Sequence, residues 1–132
     1  MMLTNYTDYG LRALMLLAAE PARVQSATVL SDRLGISRHH LAKILFDLVA
    51  GGYLASVRGA AGGVILAHPP EQIRLGEVVR YLARDQALVE CFRADGGSCR
   101  LLPSCRLRGA LIRAKEAFAF SLDQNTLADM RL

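Results

Sequence analysis

Residues 34–67 read LGISRHHLAKILFDLVAGGYLASVRGAAGGVILA, and the fold follows from how this stretch is parsed. Gly35 supplies the left-handed turn that stops a helix, and Ser37 can cap the next one. Leu41, Ile44, Leu45 and Leu48 then recur at i, i+3, i+4 and i+7, which makes an apolar stripe on a helix. The other face, near its start, carries Arg38, His39, His40 and Lys43. Gly51-Gly52 ends this helix. Two β-prone runs, Tyr53 to Val57 and Val64 to Ala67, flank Arg58-Gly59-Ala60-Ala61-Gly62-Gly63, which predicts a hairpin with a glycine-rich tip.

Just upstream, a helix from about Ser26 to Leu34 faces Val29, Leu30 and Leu34 inward, and Ile36 plugs the corner. Two helices joined by a short glycine turn, the second basic at its amino end, form a helix-turn-helix. Its second helix enters the major groove with its first residues at the base edges. A hairpin placed directly after it is a wing. Ser37, Arg38, His39, His40 and Lys43 are therefore candidate major-groove residues, and Arg58 a minor-groove one. Small residues at Gly59, Gly62 and Gly63 let backbone approach phosphate. The alternative is a plain helical hairpin with a solvated charged face, closed by a tight hairpin of purely structural use.

Further out, Thr7 or a neighbour caps a first helix with Leu11, Leu14, Met15 and Ala18 on one face, closed at Glu20-Pro21. Asp8 lies at its beginning, where the helix dipole favours a carboxylate without any functional reason. After Pro69-Pro70 a fourth helix, about Leu75 to Ala83, carries Val78, Val79 and Leu82. From Leu107 a long helix presents Leu107, Leu111, Ala114, Phe118 and Leu122 on one stripe. So apolar a terminal helix in so small a chain suggests burial against a twin subunit, with folding back on its own core as the alternative. The expected architecture is mainly α with a small β-hairpin wing. Residues 1–68 form the winged helix-turn-helix region, 69–106 a connecting helix and cysteine loop, and 107–132 a dimerisation helix and tail.

The 132 residues fit a single domain. A net charge of +4 favours an anionic partner modestly. Met1 to Thr4 lacks the character of a signal peptide, and the early apolar run from Ala13 to Ala19 is too short to span a membrane, so a cytoplasmic location is expected. No catalytic base or nucleophile is arranged as in an enzyme: His39 and His40 lie on the DNA face and His68 stands beside prolines.

All three cysteines fall in residues 90–105, ECFRADGGSCRLLPSC, with seven residues between Cys91 and Cys99 and five between Cys99 and Cys105. An odd, clustered set fits a reducing compartment and thiolates used as ligands or reactive groups. Arg93, Arg100, Arg106 and Arg108 surround them with charge that favours thiolates and would offset an anionic iron–sulfur cluster. Three thiols leave such a cluster one ligand short. Structural zinc prefers close pairs such as C-x2-C, absent here. A thiol-only switch, in which two cysteines form a disulfide, and three unrelated buried thiols also remain open.

The opening LTNYTDYGLRALMLLA, the stretch at 34–67, the three-cysteine loop and the closing SLDQNTLADM together resemble the winged-helix iron–sulfur repressors, most of all their nitric-oxide-sensing members. The resemblance covers essentially the whole chain, with VRGAAGG and the cysteine loop its most specific parts. It implies a homodimer on a palindromic operator, with a cluster held by Cys91, Cys99, Cys105 and one further ligand. Some members use a histidine three positions after the last cysteine, where this chain has Arg108. Members with a 4Fe–4S cluster use an aspartate near the amino terminus of the other subunit, and the matching residue is Asp8. The first gap is longer than the family's usual spacing, with the extra residues in Asp95-Gly96-Gly97. That leaves a 2Fe–2S cluster, and sensing of cluster status or redox state instead of nitric oxide, as the alternative.

Overall fold

The computed structural model describes residues 3–132. Its elements run α1 (Asn5–Ala19), α2 (Ala27–Leu34), α3 (Arg38–Ala50), β1 (Leu54–Val57), β2 (Gly63–Leu66), α4 (Leu75–Leu82) and α5 (Arg106–Leu122). Short 3-10 turns at Pro70–Gln72, Glu90–Phe92 and Leu127–Met130 fill the connections. The mainly helical fold with one antiparallel hairpin is the expected one. Helix boundaries follow local chemistry: Thr4, Ser26 and Ser37 accept hydrogen bonds from the N–H groups of Thr7, Val29 and His40. The cap of α1 is thus Thr4, whereas Thr7 is buried inside the first turn and supplies the capped N–H. Gly35 ends α2 in the left-handed conformation, at φ 66° and ψ 34°.

Helix α1 is the centre of the molecule. Ala13, Leu14, Leu16, Leu17 and Ala18 are all buried, more than the single face that its spacing predicts. The reason is that α2, α3, α4, β2 and the C-terminal turn all pack around it. On α3 the stripe Leu41, Ile44, Leu45 and Leu48 is buried as expected. Val29 differs from expectation and is exposed, because Leu30 and Ser31 take the inner face of the two-turn α2.

The wing pairs Leu54 with Leu66 through Val57 with Gly63. Gln25, only 2% exposed, extends this hairpin: its backbone exchanges hydrogen bonds with Val64 at 2.9 and 3.0 Å. The wing is thereby tied to the segment that enters α2, which sets its position relative to the helix-turn-helix. The carboxyl end returns to the same core. Leu127 N–H donates to Ile73 O at 2.8 Å, and the Leu127 side chain is fully buried. So α4 and residues 125–130 close the core of the winged helix-turn-helix, although they lie far from it in the chain.

Helix α5 is different. Its carboxyl end is fastened to α4 by Arg80 and Asp123 at 2.9 Å, and Gly76 comes so close to Ala119 O and Asp123 that a β-carbon there would collide with both. Leu107, Ile112, Phe118 and Phe120 are exposed, Leu111 and Leu122 are half-buried with Leu122 against the core, and only Ala119 is buried. Beside it runs an apolar groove of about 550 Å³, with Val79, Ala83, Leu88 and Phe118 among its walls.

Candidate nucleic-acid interface and cysteine loop

The exposed face of α3 is built from Arg38, His39, Ala42, Lys43, Phe46 and Ala50, opposite the buried stripe. Ser37 sits at its amino end as the cap. Three of the four α3 residues expected at DNA therefore share one free face, with Ser37 at its tip. His40 lies on the flank: its ring meets the edge of Tyr9 at 5.5 Å and tilts toward Tyr6 at 6.4 Å. Phe46, 78% exposed, shares this face although nothing in its residue type points there. Its spacing of three and seven residues from Lys43 and His39 was the available signal.

Seven residues after His40, and so on the same flank of α3, Asp47 fastens the helix to its neighbours. Its carboxylate accepts from Tyr6 Oη at 2.7 Å, Tyr81 Oη at 2.9 Å and Arg84 Nη2 at 2.8 Å. Arg84 and the two hydroxyls hold the Asp47 carboxyl below the usual carboxylate range despite its burial. Burial, then the hydrogen bond to Asp47, pushes Tyr6 up to about 12. One carboxylate thus locks the reading helix to α1 and α4.

Arg58 and Gly59 are exposed at the wing tip, with Gly59 at φ 111°. Gly62 and Gly63 are half-buried and have work inside the fold. A β-carbon on Gly62 would strike Val57 O, and one on Gly63 would strike Gln25 O.

The loop from Arg84 to Cys105 contains no buried residue. Cys91, Cys99 and Cys105 are free thiols; Cys99 is exposed and the others half-exposed. Cys91 lies in a 3-10 turn, and its neighbour Phe92 is covered by Arg108 and Lys115 of α5 at 5.7 and 5.8 Å. Cys105 is the N-cap residue of α5, where the helix dipole favours an anionic side chain.

Residues 3–131 match the family Rrf2, described as iron-dependent transcriptional regulators. The chain belongs to the Rrf2 family. It is 46% identical over 131 residues to the HTH-type transcriptional regulator NsrR of Geobacillus kaustophilus, covering 98% of this chain and 89% of that one. Among solved structures it is similar to T. potens IscR, with a TM-score of 0.77 and 27% identity over 98% of this chain and 85% of the other. The global cysteine regulator CymR of B. subtilis gives 0.76 and 26% over 98% and 95%. These relatives are transcriptional regulators. No helix among the described residues is long and apolar enough to cross a membrane.

Asp8 of this Rrf2 chain is half-exposed on α1 and engaged at both oxygens by Arg12, at 3.0 and 2.7 Å. Among the described residues no three His, Cys, Asp or Glu side chains converge closely enough to hold a single metal ion. The donors themselves suit a cluster: three free thiols on one exposed loop among cationic side chains.

Proposed function

We propose that two copies of this Rrf2 chain form a repressor of a palindromic operator, and that DNA affinity depends on an iron–sulfur cluster that responds to nitric oxide. Cys91, Cys99 and Cys105 would hold a cluster of the 4Fe–4S type, and Asp8 from the second copy would complete it. The observation that carries this reading is the course of the cysteine loop. It holds three free thiols, has no buried residue, and runs directly into the exposed helix α5, whose cap is Cys105. The likeness to NsrR adds support over nearly the whole chain.

The exposed stripe of α5 and the adjoining groove supply the apolar surface for the second copy. Pairing would place the two α3 helices about 34 Å apart, one turn of DNA. Ser37, Arg38, His39 and Lys43 then face the major groove. His40 holds α3 against α1, and Arg58 and Gly59 reach the backbone and minor groove. A bound cluster supplies iron as the point of attack for nitric oxide. The protein would supply the rest: Arg12 would hold an Asp8 that is not a ligand, the loop would be free to relax because nothing buried restrains it, and α5 would link the loop to the spacing of the readers. A hundredfold change in DNA affinity needs only about 2.7 kcal/mol.

Anaerobic purification, visible absorbance, and iron and sulfide assays test the cofactor, followed by gel-shift titration before and after nitric oxide. A coloured protein that loses operator affinity on exposure is the expected result. Colourless protein loaded with zinc, or affinity indifferent to nitric oxide, overturns the reading.

A further inference from the structure

The long gap between Cys91 and Cys99 is closed at its neck by one side chain. Glu90, immediately before Cys91, accepts hydrogen bonds from Ser98, immediately before Cys99. The Ser98 backbone N–H reaches Glu90 Oε1 at 2.8 Å and its hydroxyl at 3.0 Å. The residues between them form a lobe with its own bonds. Asp95 accepts from Gly97 N–H at 2.9 Å and from Arg93 at 2.6 Å, and Gly96 N–H donates to Arg93 O at 2.9 Å. Gly97 then packs on Glu90 so tightly that a β-carbon would stand 2.5 Å from Glu90 Cγ and 3.0 Å from its carbonyl oxygen. Gly96 has the same left-handed backbone, at φ 75° against 64°, but open space around it.

We infer that Glu90 is a positioning residue that folds out the extra lobe and sets Cys91 and Cys99 side by side as a ligand pair. This rests on the cysteine-ligand reading above. The two bonds from Ser98 hold the Glu90 carboxylate in place across the neck of the lobe. As a neighbour of the ligands, it acts as outer-shell partners do, by orienting donors that it does not replace.

The test compares the unaltered protein with Glu90→Ala, Glu90→Gln, Gly97→Ala and Gly96→Ala. Loaded protein is challenged anaerobically with an iron chelator, and iron release is followed with the visible spectrum. Glu90→Ala and Gly97→Ala should release iron about tenfold faster or more. Glu90→Gln, which keeps an acceptor oxygen, should fall between. Gly96→Ala carries the same backbone strain without the collision and should match the unaltered protein. Thermal melting of the cluster-free forms should be nearly equal throughout. Equal release rates for Glu90→Ala and the unaltered protein, or equal acceleration by Gly96→Ala and Gly97→Ala, overturn the inference.

A second arm needs no cluster. In a Cys105→Ser background, phenylarsine oxide bridges two nearby thiols with loss of water. It should capture Cys91 and Cys99 readily with Glu90 present and at least several-fold more slowly with Glu90→Ala. Unaltered protein that takes up no cluster but shows this difference keeps the positioning role and sinks the cluster reading. Equal capture sinks the positioning role whatever the cluster does.

Discussion

Leu30, Leu41, Ile44 and Leu48 in the DNA reader are fully buried, whereas no residue from Arg84 to Phe118 is buried at all. The reader is held by apolar burial around α1 and by one carboxylate shared among three elements. The cysteine loop is held by exposed hydrogen bonds, an exposed ion pair between Arg93 and Asp95, and cations over Phe92. Burial of apolar groups is cooperative and lasting, while exposed polar contacts contribute little each. The contrast fits the proposed division of tasks, a region of fixed shape for DNA and a loop that can change shape at low cost.

The most severe way to break this contrast is inside the reader. Leu48→Ala should cost about 2–5 kcal/mol and abolish operator binding, both visible in urea titrations and gel shifts. Cys91→Ser should leave the urea midpoint unchanged, and a large loss there would erase the distinction. Asp47→Ala should cost about 2 kcal/mol through its lost charged hydrogen bonds.

Asp47 also fixes a dependence on pH. Its folded carboxyl titrates below its unfolded value of 3.8, so its stabilisation is present above that value and is lost as pH falls through the folded one. Tyr6 works at the other end. Its folded value of about 12 exceeds the ordinary 10, so stability declines as pH rises from 10 to 12. Urea midpoints across pH should show both declines, and Asp47→Asn should remove the acid one.

Arg58→Ala should weaken operator binding by about 1.5 kcal/mol, roughly tenfold, with no change in melting, because the side chain is exposed. The smallest effect on the fold belongs to Asp8→Ala. Its exposed pair with Arg12 accounts for about 0.5 kcal/mol or less, while the cluster and its response to nitric oxide should change markedly. Unchanged spectra and response would return Asp8 to a helix-start carboxylate.

Much of the reader was legible because its signals are local. The Gly35 turn, the Ser37 cap and the stripe on α3 each involve residues within a turn or two, and backbone sterics and helical period act at that range. Asp47 was not legible, since Tyr6, Tyr81 and Arg84 come from elements far apart in sequence. His40 adjoins the basic residues in sequence, but the 100° step per residue moves it to the flank of α3. The period of α5 did not say how its stripe would divide: Leu107, Ala114 and Phe118 stay exposed, Leu111 is half-buried and Leu122 packs against the core.

By itself, the sequence determined the helix-turn-helix, the wing and the concentration of thiols, because propensity, capping and periodicity are properties of neighbouring residues. Only the tertiary structure decided that α1 is enclosed on nearly all sides, that the carboxyl-terminal turn closes its core, and that the cysteine loop is left outside it. These outcomes depend on which distant surfaces exhaust one another's apolar area. The small core satisfies its own helices first and leaves α5 and the thiols at the surface.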